Sequence, residues 1–177
     1  MNKSRLLLSR LFQSLKVMSK LPKANPVIYP KLREHALLKI RLKDLSGDSV
    51  HSVLMDWNVS NGTATVFAAA DGTASLYLSS GGGFLGGGQK YPVIRNAALH
   101  AVQLATDLFP HFKTTETIEL PPPGDVFFYL TTCNGVRRAI AKEADLRTGL
   151  GPLATLGAIM QEIITQYRLN SPHPTGS

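Results

Sequence analysis

Three short turn sequences constrain the fold of this chain more than any other feature. Asn61-Gly62, Asp71-Gly72 and Asn134-Gly135 each separate two runs in which apolar and polar residues alternate. Tight hairpin turns need residues that tolerate positive φ, and Asn, Asp and Gly do so best. The sequence therefore predicts a three-stranded antiparallel meander over residues 50–80 and a β-hairpin over residues 126–144.

The length of the first turn decides which side chains share a face of the sheet, because side chains alternate along a strand. A two-residue loop, Asn61-Gly62, would place Phe67 opposite Asp56, whereas a three-residue loop from Ser60 to Gly62 would place it opposite Met55. The longer loop gathers the apolar side chains on one face and leaves the other half polar, as in an antiparallel sheet covered on one side. This set comprises Val53, Met55, Trp57, Phe67, Ala69, Ala74, Leu76 and Leu78. We therefore predict the three-residue loop.

Two segments carry the 3.6-residue period of amphipathic helices. One begins at Pro92 and ends near Phe109, and the other begins at Pro152. Their apolar stripes are Ile94, Ala98, Ala101, Ala105 and Leu108 in the first, and Leu153, Leu156, Met160, Ile163 and Tyr167 in the second. A further helix is predicted from Pro30 to about Leu45 with a stripe of Leu38, Leu42 and Leu45, although alternation over residues 38–43 also fits a strand.

The resulting order is meander, helix, hairpin, helix. It predicts an α+β fold of two layers, a mostly antiparallel sheet of five or six strands with helices on one face. In outline this order is similar to that of the profilin, roadblock and longin domains, a resemblance that bears on fold and not on function. The predicted division is a basic leader and linker over residues 1–29, one domain over 30–169 and a polar, disordered tail over 170–177.

The net charge of +7 is concentrated at the N-terminus. Residues 1–45 contain 11 Lys and Arg against two acidic residues, and the remainder is slightly acidic. Residues 2–20 are basic and contain no acidic residue, which is typical of an organelle-targeting or membrane-surface segment. The alternatives are a flexible leader, or a true translation start at Met18. The position of the charge argues against nucleic-acid binding by the folded domain. Because no apolar run approaches about 18 residues, a transmembrane segment is not predicted either.

The segment Gly81–Gly88 holds six of the 15 glycines. It could be a simple connector, or a flap that presents Phe84 and Leu85 to a groove, a partner protein or a second subunit. It could also hold a phosphate or other anion, since it precedes a helix and Lys90 adds charge. A dinucleotide site is not favoured, because its glycine motif follows a strand of a parallel sheet, whereas the strand before Gly81 belongs to an antiparallel meander. The candidate flap and ligand residues are Gly83, Phe84, Leu85, Gly86 and Lys90.

Few other residues of the sequence are candidates for a catalytic, binding or metal site. Asp56 lies within a strand with Asn58 two residues on and Ser75 on a neighbouring strand, which makes a possible polar site or a solvated sheet face. Cys133 follows a strand, and because no local pattern places a histidine beside it, we interpret it as an ordinary cysteine. The five histidines lack metal-binding spacing, so no metal or other cofactor is predicted.

The function predicted from the sequence is a non-enzymatic binding or scaffold domain that acts through protein–protein contacts, with an unknown partner or with a second copy of itself. The main alternative is anion or small-ligand binding, with or without catalysis, at Gly81–Gly88. A second alternative is a membrane-surface or organelle-targeted protein that uses its basic N-terminus. The expected location is the cytoplasm, or an organelle if residues 1–20 are a transit peptide.

Overall fold

The computed structural model of this protein describes residues 28–39, 47–59 and 62–170. The predicted leader up to residue 27, Leu42 and Leu45 of the predicted first stripe, and residues 171–177 of the predicted tail lie outside these ranges. The strands are β1 Ser52–Val59, β2 Gly62–Ala69, β3 Ala74–Leu78, β4 Gly83–Phe84, β5 Lys113–Thr114, β6 Asp125–Thr132 and β7 Gly135–Lys142. The helices are α1 Ile28–Glu34, α2 Gly87–Lys90, α3 Pro92–Asp107, α4 Glu143–Thr148 and α5 Ala154–Asn170. A π-helical turn, His35–Lys39, continues α1, and a 3₁₀ turn, Phe109–His111, follows α3.

The strands form one antiparallel sheet in the order β4-β3-β2-β1-β6-β7-β5. The α+β class is confirmed, as are both hairpin regions and the helices that were predicted from Pro92 and Pro152. The described ranges hold seven strands instead of five or six, because the two edges carry the two-residue strands β4 and β5. Such short edge strands leave little unpaired backbone for uncontrolled pairing with another chain.

The predicted register of the first hairpin is wrong. Val59 pairs with Gly62, so only residues 60 and 61 join β1 to β2, and Phe67 lies opposite Leu54. Phe67 therefore shares a face with Asp56 and lies on the face away from Met55. The prediction assumed that one face collects the apolar side chains, whereas here both faces are buried and the pattern alone cannot choose between them.

The larger core lies between the sheet and the helices α3 and α5. Ile94, Ala98 and Ala101 of α3 are buried there with Leu156, Met160 and Ile163 of α5. Their sheet partners alternate along the strands, as the pleat requires. These partners include Val53, Met55, Trp57, Val66, Leu76, Phe128 and Leu130.

The opposite face of the sheet is covered by α1 and its π-helical extension, which corrects the expectation of helices on one face only. Tyr29, Ala36 and Leu37 are buried in a second core, together with Leu54, Phe67, Ala69, Tyr77, Phe127, Tyr129 and Val136 of the sheet. The buried stripe of this helix is not the predicted one, since Leu38 is 40% exposed. The domain is therefore three layers deep where α1 crosses the sheet.

No helix within the described ranges combines the length and apolar character that crossing a bilayer requires.

Candidate functional site

The candidate polar site on the sheet is closed to solvent. Asp56 has no exposed surface and accepts hydrogen bonds from Arg33 Nε at 2.9 Å and Nη2 at 2.6 Å, both to Oδ2. Thr65 donates its hydroxyl hydrogen to Oδ1 at 2.5 Å. Because that hydrogen is used, the Tyr29 hydroxyl, 2.8 Å from Thr65 Oγ1, is the donor in its own bond to Thr65.

The Arg33 guanidinium also binds the segment that follows β5. Arg33 donates from Nη1 to the Ile118 carbonyl oxygen and from Nη2 to that of Glu119 at 3.1 Å. The Glu119 carbonyl also accepts the Tyr129 hydroxyl at 2.6 Å, and the guanidinium carbon lies 5.4 Å from the centre of the Tyr129 ring. Arg33 thus connects α1, the sheet and the segment that follows β5.

Burial dominates the electrostatics of this cluster. It raises the pKa of Asp56 above its ordinary value, although the Arg33 guanidinium and the Thr65 hydroxyl oppose that rise. Burial, assisted by the negative charge of Asp56, also raises the pKa of Tyr29 to about 12. A carboxylate so enclosed and so fully hydrogen-bonded has no route to a substrate, and we interpret the pair as an internal clamp.

The other predicted members of the polar site are not brought to Asp56. Asn58 shares its face but donates toward the Pro121 carbonyl at 3.5 Å. Ser75 lies on β3, two strands away, where its hydroxyl accepts the amide hydrogen of Gly86 at 3.2 Å. Sequence reasoning missed Arg33. The signal that could have found it is its spacing from Tyr29 and Leu37, which places all three on one helical face.

The glycine-rich segment has a defined conformation. Its Gly83–Phe84 portion forms β4 against β3, Gly86 adopts the left-handed conformation with φ 64°, and α2 begins at Gly87. The Phe84 ring stacks on that of Tyr167 in α5, with centroids 4.9 Å apart and planes 13° apart. The loop is thereby attached to the last helix.

Two glycines of α2 are required by close approach. A Cβ at Gly88 would lie 1.8 Å from the Gly72 carbonyl oxygen, and one at Gly87 would lie 2.3 Å from the Tyr167 ring. The Tyr167 hydroxyl accepts the Gly87 amide hydrogen at 2.8 Å and donates to the Ala74 carbonyl at 2.6 Å. Burial raises the pKa of Tyr167 to about 12 despite the opposing Gly87 amide. These glycines permit packing and need no ligand to account for them.

Several amides of the glycine-rich segment and of the residue after it already have acceptors within the protein, so these amides are not available to an anion. The ammonium group of Lys90 lies 5.2 Å from the centre of the Tyr91 ring, on the outside of the molecule. The amides concerned are those of Gly81, Gly86, Gly87 and Gln89, which donate to Leu78 O, Ser75 Oγ, Tyr167 Oη and Gly86 O. The geometry therefore lends no support to a phosphate cradle.

Exposed apolar side chains occur at the loop end of the helical layer. Leu85 is 67% exposed although its neighbour Phe84 is held against Tyr167. Leu169, two residues beyond Tyr167, is 66% exposed, and Val93 projects from the first turn of α3. We refer to Leu85, Val93 and Leu169 as the loop-end surface. The cationic residues Arg95 and Arg168 belong to the same helices as Val93 and Leu169, and Lys90 ends α2, which follows Leu85.

Cys133 has a histidine neighbour that sequence reasoning did not find. His51 Nε2 lies 3.2 Å from the Cys133 sulfur. The two residues are 82 positions apart and meet because His51 precedes β1, Cys133 follows β6 and these strands pair. Cys133 is exposed, whereas the imidazole is fully buried. Only the strand order, which local spacing does not contain, could have indicated the contact.

Within the described ranges no group of three or more His, Cys, Asp or Glu side chains could hold a metal ion. No protein-family model, curated protein or solved structure matches this chain. The similarity of element order to the profilin, roadblock and longin domains accordingly stays a prediction.

Proposed function

We propose that this chain is a non-enzymatic protein-binding domain and that its loop-end surface receives the partner. One observation carries the proposal: Leu85 is 67% exposed on a loop that the Phe84–Tyr167 stack holds in place. A large apolar side chain left in water and held in one position costs little further conformational entropy when a partner buries it. In this proposal the exposed side chains of Leu169 and Val93 contribute to the same surface.

Cationic residues close in sequence to this surface indicate the chemistry of the partner. Lys90 and Arg95 are exposed and Arg168 is partly exposed. A partner segment that combines apolar side chains with Asp or Glu would fill the apolar positions and meet the cations around them. Because these cationic side chains are at least partly exposed to solvent, added salt should weaken such binding while leaving the apolar contribution.

Selection of a random peptide library on the purified full chain tests the proposal. We expect the enriched peptides to combine large apolar residues with acidic ones, and to bind more weakly as salt rises. Paired Leu85→Ser and Leu169→Ser substitutions should lower their affinity by about tenfold or more, since each removes a buried apolar contact.

Leu150→Ser is the matched control, because Leu150 is 61% exposed but lies in the turn before α5, away from the loop end. It should leave peptide affinity unchanged. The proposal is wrong if no peptide is enriched, or if the peptides bind the doubly substituted protein as tightly as the parent.

A further inference from the structure

We propose that Cys133 and His51 form a reactive thiol site that undergoes exchange with small-molecule disulfides. This activity is separate from partner binding at the loop-end surface, and it rests on the contact between the two side chains and on the exposure of the cysteine.

The imidazole of His51 is held in a fixed position. The backbone of His51 is held on both sides, since its N–H donates to the Thr131 carbonyl at 2.8 Å and its carbonyl accepts the Ala70 amide at 2.9 Å. A ring that is fully buried and held in this way has little freedom to leave the sulfur.

The hairpin connection that carries the Cys133 thiol is also held in a fixed position. Cys133 and Asn134 form the two-residue connection between β6 and β7, where Thr132 pairs with Gly135. The Asn134 amide donates to Thr132 Oγ1 at 3.1 Å, and the Asn134 side chain donates to Asp48 at 3.1 Å. The hairpin connection is thus held at both of its ends while the cysteine stays exposed.

The geometry of the two side chains allows base-assisted thiol–disulfide exchange. With the hydrogen of the neutral ring on Nδ1, His51 Nε2 can accept the thiol hydrogen of Cys133 across 3.2 Å. The resulting thiolate attacks one sulfur of a disulfide RSSR, so that a new S–S bond forms to Cys133 and the original S–S bond breaks. The leaving thiolate takes up the proton from His51 and departs as RSH, whereas an acidic leaving thiol departs as the thiolate and His51 gives its proton to water. The products are Cys133–S–SR and neutral His51, so no further oxidant or reductant is needed.

Because Cys133 is the single cysteine of the chain, a chromogenic disulfide reports on it alone. The probe is dithiobis-nitrobenzoate, and the measured quantity is the second-order rate constant for release of its thiolate at neutral pH. A synthetic peptide of residues 130–136 contains the same cysteine without His51 and serves as the unactivated reference. Cys133→Ser should release nothing.

A general base within hydrogen-bond reach should make the folded protein react about tenfold or more faster than the peptide. His51→Gln should reduce the rate constant to about that of the peptide while the far-ultraviolet circular dichroism spectrum is retained. If the His51→Gln protein does not fold, the rate constants of the parent protein and the peptide still test the proposal. A parent protein no faster than the peptide overturns the proposal, and so does a folded His51→Gln variant as fast as the parent.

Discussion

The side chains of Arg33 and Asp56 form an ion pair, 2.6 Å between Nη2 and Oδ2, that is almost completely withdrawn from water. Their exposed fractions are 7% and 0%. A buried charge is tolerated only while its partner is present, because desolvation costs each ion several kcal/mol. The attachment of α1 to the sheet therefore depends on both members of the pair.

Arg33→Met should lower the free energy of unfolding by about 3–5 kcal/mol, since it leaves the Asp56 carboxylate buried and uncompensated. Combining it with Asp56→Leu should restore much of that loss, because a neutral pair has no desolvation cost. Urea denaturation measures both. Arg147→Met, which removes an exposed pair with Glu143, is the control and should cost less than about 1 kcal/mol. A double variant as unstable as Arg33→Met would contradict this account.

The burial of α1 can be tested with two adjacent leucines of equal size. Leu37 is fully buried against the sheet, whereas Leu38 is 40% exposed. Leu37→Ala should destabilise the protein by about 2–5 kcal/mol, through lost burial and the cavity that remains. Leu38→Ala should change the free energy of unfolding by about 0.5 kcal/mol or less. Equal losses in chemical denaturation would show that the helix does not pack on this face.

Stability should fall at alkaline pH. Burial raises the pKa of Tyr29 and Tyr167 from 10.0 to about 12, so the unfolded chain loses these protons at lower pH than the folded one. The stabilisation is complete below pH 10 and disappears as pH rises through the folded values, by up to about 1.4 kcal/mol per pH unit for each tyrosine. Urea midpoints measured between pH 9 and 12 should show this slope, and Tyr29→Phe or Tyr167→Phe should reduce it. A slope unchanged in both variants would refute the assignment.

The packing requirement at α2 predicts a contrast between two helical glycines. Gly88→Ala should destabilise the protein by about 1–3 kcal/mol or more, because its Cβ would meet the Gly72 carbonyl at 1.8 Å. Gly157→Ala is the control, since its Cβ would lie 3.3 Å from the mobile end of the Leu146 side chain. Alanine is the better helix former, so this change should be neutral or stabilising. Thermal unfolding measures both, and a stable Gly88→Ala protein would contradict the observed approach of α2 to β3.

Local sequence patterns were sufficient to predict the helices and strands but not which of their faces are buried. The helix from Pro92 and the strands around the turns were predictable because Pro, Asn-Gly and alternation act within a few residues. The register of the first hairpin was not predictable in this way. The pattern placed Phe67 opposite Met55, and choosing correctly required knowing that a helix covers the second face of the sheet. Phe67 lies opposite Leu54 and packs toward that helix.

The site shows the same limit. Asp56 was predicted to be a polar site or a solvated residue but is buried, and its partner Arg33 is 23 residues away on a helix whose buried side was assigned to Leu38. His51 and Cys133 are separated by 82 residues and meet only through the pairing of β1 with β6. Contacts of this kind depend on strand order, which the spacing of residues within one element does not encode.

The three acceptors of Arg33 also bear on the order of folding. Its partners lie 23, 85 and 86 residues further along the chain, on β1 and on the segment after β5. Loop-closure entropy delays contacts over such distances, so α1 should be secured only after the meander has formed and residues 118 and 119 have crossed the sheet. Pulse-labelled hydrogen exchange should find the amides of residues 28–39 protected later than those of β1 and β2. The earliest of the described helices to be synthesised would then become native after strands that follow it in the chain.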